Sequence, residues 1–230
     1  MEPIQAISLL LGASWAAGIN LYASVLVLGY LNGAGHVELP PDLQLLSDPL
    51  VMFAAGAMYM IEFFADKTPG VDTGWDAIHT FVRIPAGALL AAGMSQGLSA
   101  GPAGELAALL AGGSLAATSH AAKAGTRVLI NTSPEPFSNW AASITEDIAV
   151  VAGLWTALNN PSLFLGLLVL FLLLAAWLLP RIWSGIKRIA RTVGGWFVRR
   201  RASAPTGSEE ARAADRPLEV VIRSGEPPSR

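Results

Sequence analysis

Asp72, Asp76, His79 and Arg83 follow one another at intervals of four, three and four residues, so a helix through them carries all four on one face. His120, Lys123 and Arg127, at intervals of three and four, make a second, basic face. Glu146 and Asp147 add a carboxylate pair, and Asp66, Asn131, Glu135 and Asn139 complete a polar inventory enclosed on both sides by apolar sequence. An isolated charge in hydrocarbon costs several kcal/mol, so groups of opposite sign at such depth must pair with one another or line a hydrated cavity. A set of this kind can relay protons, hold a cation or lock helices together through salt bridges, and the residue types alone do not choose among these. The plainer alternative places the charges at headgroup level, where they cap helix ends and fix loops. Asp72, Asp76 and His79 have a spacing that a metal could use, but the pattern is more often a solvated helix face, so neither metal nor cofactor is expected. No nucleophile elbow, P-loop, H-E-x-x-H or dinucleotide fingerprint is present, and no catalytic residue is assigned.

The elements that must position these groups are set by composition. Of 230 residues, 53% are hydrophobic and 14% charged, against about 25% charged in a soluble domain, which points to a membrane protein. The absence of Cys excludes disulfides and thiolate metal sites. Apolar stretches at 4–31, 50–65, 81–98, 105–125, 141–158 and 162–179 read as six transmembrane helices. The first lacks a basic leader and is read as retained. The fourth is rich in Gly, Ala and Ser, which lets helices approach closely in lipid.

Two polar segments, 62–83 and 120–147, superpose on a shift of 65 positions, which lays Pro69 on Pro134, Trp75 on Trp140 and Asp66 on Asn131. This reads as a degraded duplication that builds two similar helical hairpins. The same shift lays Glu62 on Arg127, predicting an ion pair between the hairpins. The Pro-containing breaks cannot continue a helix smoothly, and irregular backbone at membrane depth survives only inside protein or beside water.

With six spans, every Lys and Arg falls on one face together with both termini, and the positive-inside rule makes that face cytoplasmic. Residues 1–180 are then the transmembrane domain, 181–201 a basic amphipathic helix on the membrane surface with anionic lipid as its expected partner, and 202–230 a disordered cytoplasmic tail. No nucleic-acid partner is expected, and homo-oligomer formation is left open.

The motifs G-I-N-L-Y at 18–22, E-F-F-A-D-K-T-P-G-V-D at 62–72 and S-H-A-A-K-A-G-T-R-V-L-I-N-T-S-P-E-P at 119–136 resemble, in combination, a bacterial integral membrane family catalogued as domain of unknown function 4126. The resemblance spans roughly residues 4 to 180. It implies a membrane protein and carries over no activity and no site residue. The sequence therefore reads as an all-α, polytopic inner-membrane protein whose first expected function is transport or channel-like passage of an ion or anionic metabolite. A membrane enzyme acting on lipid headgroups and a non-transporting scaffold are the alternatives.

Overall fold

The computed structural model describes residues 2–68, 70–132 and 137–202, and all regular structure among them is helical. The helices are α1 (Pro3–Ile19), α2 (Leu21–Gly33), α3 (Pro49–Ala65), α4 (Val71–Ser95), α5 (Gly101–Ile130), α6 (Phe137–Asn159) and α7 (Pro161–Ala202), with short 3-10 helices at Pro41–Ser47 and Gln96–Leu98. The chain forms two compact units, 1–186 and 187–230.

Proline opens α1, α3 and α7, where its fixed φ and missing N–H are harmless because the first N–H groups of a helix have no internal acceptor. Asp48 closes the first turn of α3 by accepting from Leu50 N and Val51 N at 2.8 and 3.4 Å. Gly70, at φ 85°, turns the chain into α4 in a conformation that a side chain would resist.

The expected first span, 4–31, is two helices. Asn20 leaves the helical region (φ −146°, ψ 99°), and its side chain accepts from Ala23 N at 3.0 Å to cap α2. At the start of α1, Gln5 Nε2 donates to Leu158 O at the end of α6 (2.8 Å); at its finish, Ile19 O accepts from Lys123 Nζ (3.1 Å). α2 starts there, with Tyr22 beside His79, and returns outward. Near its far end Asn32 Nδ2 donates to Ser47 Oγ at 2.8 Å, and just beyond it the His36 ring meets Trp155 edge-on at 5.8 Å. The α1–α2 pair is therefore a hairpin that enters and leaves at one end of the bundle, with Asn20 at its tip. Ile182 of α7 sits at the opposite end against Gly125, so the start of α1 and the end of this unit lie at opposite ends rather than on one face.

α1 is apolar all round because it is surrounded: Leu9, Ala13, Ala16 and Ala17 are 0% exposed, and α4, α5 and α6 pack on it. Small residues make this closeness feasible. Ser14 Oγ donates to Gly87 O at 3.0 Å, and a Cβ on Gly112 would stand 2.7 Å from Ser14 Oγ. The tight hairpin of the fold is α4–α5. The helices flanking each polar segment, α3 with α4 and α5 with α6, touch at few points, so the two segments do not build the two packed hairpins expected from the repeat.

The outer surface is apolar, with Leu50, Phe53, Phe64, Ile78, Phe81 and Leu173 all more than half exposed, as a lipid-facing skin requires. Among the described residues, three helices are long and apolar enough to cross a membrane (Val71–Leu98, Phe137–Asn159 and Pro161–Arg188), or four if Pro41–Ser47 and Pro49–Ala65, bent by 63°, count as one. α5 is not among them, because its Gly and Ser dilute its hydropathy. Three or four of the described helices meet that measure, where six spans were expected. α7 runs on through Pro180 as one helix, where a boundary was expected. Most side chains that would define the basic amphipathic helix at 181–201, and the tail from 203 on, lie outside the described residues.

Candidate functional site

Each element around the hairpin tip contributes charge. The last turn of α3 brings Glu62, and the connection after it brings Asp66 and Lys67. The first half of α4 presents Asp72, Asp76, His79 and Arg83 on one face, with exposures of 0, 1, 6 and 0%. The last third of α5 presents His120, Lys123 and Arg127, all buried, and α6 supplies Asn139, Glu146 and Asp147.

Seven of these residues form one closed ion network. Arg83 binds Glu62 Oε1 at 2.6 Å and Asp76 Oδ1 at 2.9 Å. Lys123 Nζ lies 2.8 Å from Asp66 Oδ2, 3.2 Å from Glu62 Oε1, 3.5 Å from Glu146 Oε2 and 3.8 Å from Asp76 Oδ1. Arg127 grips Glu146 through Nη2 and Nε at 2.7 and 3.3 Å, and donates from Nη1 to Asp66 O and Asn139 O at 2.8 and 3.1 Å. The bidentate fork suits a guanidinium, and the three ammonium donors of Lys123 suit a hub.

The predicted Glu62–Arg127 pair does not form. Both residues belong to the network, but Glu62 is taken by Arg83 and Lys123, and Arg127 by Glu146 and Asp66. Equivalent places in two segments do not fix which faces meet, and the α4–α5 pairing brings Arg83 and Lys123 to Glu62 instead.

Neighbouring groups brace the network. Arg83 Nη1 donates to His120 Nδ1 at 3.1 Å. Since a guanidinium has only donors, His120 Nδ1 carries no proton and Nε2–H donates to Thr80 Oγ1 at 2.7 Å. His79 is fixed the other way: Nδ1–H donates to Trp75 O at 2.9 Å and Nε2 accepts from the Tyr22 hydroxyl at 3.1 Å. Asn131 donates to both Asp72 oxygens at 2.8 and 2.9 Å and accepts from Asn139 Nδ2 at 2.7 Å, tying α4, α5 and α6 below the network. Asp147 accepts from Asn20 Nδ2 and from the Tyr59 hydroxyl at 3.0 and 3.1 Å, which anchors the hairpin tip to α6. Lys67 lies 3.0 Å over the Phe63 ring and donates to Ser143 Oγ. Burial lowers its ammonium pKa from the ordinary value, against the opposing pull of Asp147 and Asp66.

Of the residues singled out from sequence, Asp66, Asp76, Arg83, Lys123, Arg127 and Glu146 are in the network. His120 and Asn139 bond directly to it; Asn131 reaches it through Asn139, and Asp72 through Asn131; His79 bonds to Tyr22 and Asp147 to Asn20 and Tyr59; Glu135 lies outside the described residues. Asp72, Asp76 and His79 share a face but go to separate partners, and among the described residues no three His, Asp or Glu side chains are placed to hold a metal ion. Asn20, Tyr22 and Tyr59 were missing from that set, and Glu62 entered only as the expected partner of Arg127. Glu62 and Asn20 had a readable signal, a carboxylate inside an apolar helix and an amide inside an uncharged run.

Two apolar cavities reach the margin of this region. One of about 700 Å³ lies between α2 and α6, with Asp147 among Leu26, Val27, Tyr30 and Trp155. The other, about 600 Å³, lies between α5 and α7 and touches Thr80 and His120.

No curated protein and no solved structure matches the chain. The family model described as domain of unknown function DUF4126 matches residues 7–181, a stretch that holds all but the first turn of the hairpin and every charge of the network. The chain therefore belongs to the DUF4126 family.

Proposed function

We propose that this protein is a small transporter that passes an ion or small anionic metabolite across a bacterial inner membrane. One observation carries the reading: a helical hairpin ends on a buried ion network, with the Ile19 carbonyl at the break accepting from Lys123. Broken helices with free backbone carbonyls, set beside paired charges in the apolar layer, are how secondary transporters build their binding centres. A purely structural bundle has no use for seven desolvated charges, since well-packed apolar side chains would serve stability at least as well.

Lys67, Arg83, Lys123, Arg127 and Arg181, the basic residues of the first unit, gather at the network end, and the connections at 34–48 and 99–100 carry none. By the positive-inside rule the network end faces the cytoplasm and the start of α1 faces outward.

The test is flux into proteoliposomes, screened over labelled monovalent cations, inorganic anions and small carboxylates. The expected result is uptake above empty liposomes for one class, reduced about ten-fold, equivalent to about 1.4 kcal/mol, in Lys123→Met. Leak-level flux for every class, from protein that elutes as a folded species, overturns the reading.

A further inference from the structure

The network contains four carboxylates, Glu62, Asp66, Asp76 and Glu146, and three cations, Arg83, Lys123 and Arg127. Within these seven the formal charge is −1, and the adjacent Lys67 and Asp147 offset one another, so one negative charge stays uncompensated. Six of the seven side chains are at most 4% exposed, and Glu146 is 17% exposed, so solvent does little to stabilise the excess.

Three of the carboxylates are also incompletely bonded. Glu62 Oε2, Asp66 Oδ1 and Asp76 Oδ2 are buried with no hydrogen-bond partner in the protein, as is Arg83 Nε, although the second oxygen of each acid is bound to Arg83 or Lys123. A buried acceptor of this kind lacks one donor.

We infer that the network holds one exchangeable proton, shared among its carboxylates, and that this proton is the coupling ion of the transport proposed above, on which the coupling role rests. Uptake of H⁺ converts one carboxylate to a carboxyl and brings the network from a net charge of −1 to zero; release restores it. Because the groups are coupled, the proton belongs to the set and not to one residue.

The surroundings narrow the carrier. Arg83, Lys123 and Arg127 are already charged. His120 cannot accept at Nδ1 without placing a proton against Arg83 Nη1. From α2, Tyr22 is engaged with His79 of α4; from α3, Tyr59 with Asp147 of α6; Lys67 with Ser143; and Asp72 with Asn131 of α5. A sodium ion would need several converging oxygens. The oxygens that do converge, from Glu62, Asp66, Asp76, Glu146 and the Ile19 carbonyl, all lie within 3.8 Å of Lys123 Nζ, so the ammonium already holds the place a sodium ion would take. A proton needs only one.

The measurement is infrared difference spectroscopy of the purified protein in nanodiscs, following the protonated-carboxyl C=O stretch and its shift in D₂O. The wild type should show one such carboxyl at neutral pH. Removing one acid, by Glu62→Gln, Asp66→Asn or Glu146→Gln, balances the network and should abolish the band; removing one cation, by Lys123→Met, should double it. Three alternative acid variants guard against one that fails to fold. Absence of the band in folded wild type, its persistence in all folded acid variants, or its replacement by a sodium-dependent spectral change would overturn the inference. The readout does not depend on flux: one protonated carboxyl without transport would leave the bound proton and remove the transport reading, and pH-independent flux without the band would do the reverse.

Discussion

Arg83→Met is the sharpest perturbation of the network. The guanidinium is 0% exposed and holds Glu62 and Asp76 at 2.6 and 2.9 Å. At an effective dielectric of about 20 each contact is worth about 6 kcal/mol in gross attraction. Desolvation of three ions, at several kcal/mol each, offsets most of that, so the intact cluster contributes little net stability. Deletion of one partner is different, because the carboxylates stay buried while their counter-charge is gone, and the expected loss is about 3–5 kcal/mol. That is a large share of the roughly 5–15 kcal/mol by which a native protein is stable. Glu62→Gln added to Arg83→Met restores the original net charge of the network and should recover at least about 1 kcal/mol, within the range of coupling between contacting residues. The assay is equilibrium unfolding in mixed micelles of increasing denaturing-detergent fraction, scored as a double-mutant cycle. A single variant within 0.5 kcal/mol of wild type, a margin usual for surface changes, would refute the reasoning, as would additive effects of the two substitutions.

Three further outcomes are expected. Cysteine at Glu2, Ser47 or Ser99 should be labelled by an impermeant thiol reagent on intact cells, and cysteine at Thr132 should not; protection at Glu2 with labelling at Ser47 would overturn the hairpin arrangement. Gly18→Ala should destabilise by about 1–3 kcal/mol, since the added Cβ meets Ser119 Oγ and the Ala116 carbonyl. Adding Ser119→Gly should relieve part of this in the same unfolding assay, and no relief would count against the contact. Asn20→Ala removes both the α2 cap and the bond to Asp147, and should cost about 1–2 kcal/mol of stability and speed proteolysis after α1; wild-type protease resistance would show that the tip is held by other contacts.

The all-helical class and its apolar, membrane-compatible helices were legible in composition, and the two charged faces were legible in spacing, because Asp72, Asp76, His79 and Arg83 need only a helix to become neighbours. Their partners were not. Glu62 pairs with Arg83 and not Arg127 because α4 and α5 form the tight hairpin, and that choice rests on Gly87, Gly112 and Ser14, whose small size reads only as closeness to some helix. The α1–α2 hairpin was hidden for a related reason. A 28-residue apolar run with one Asn has the same hydropathy whether it crosses or returns, and the deciding bonds, Gln5 to Leu158 and Asn20 to Asp147, reach more than a hundred residues along the chain.

The scattering of one network over four helices constrains how the protein is made. Glu62 emerges from synthesis 21 residues before Arg83, 61 before Lys123, and Arg127 emerges 19 before Glu146. Released singly into lipid, each helix would carry at least one naked charge at about 2.5–3.5 kcal/mol apiece. On the membrane reading proposed above, α3 is expected to stay at the insertion machinery until α4 and α5 supply its counter-charges, and the last turns of α5 to wait in turn for α6. Substitutions that neutralise one member should consequently alter the order in which helices leave that machinery, and with it the yield of inserted protein, even where the finished fold tolerates them.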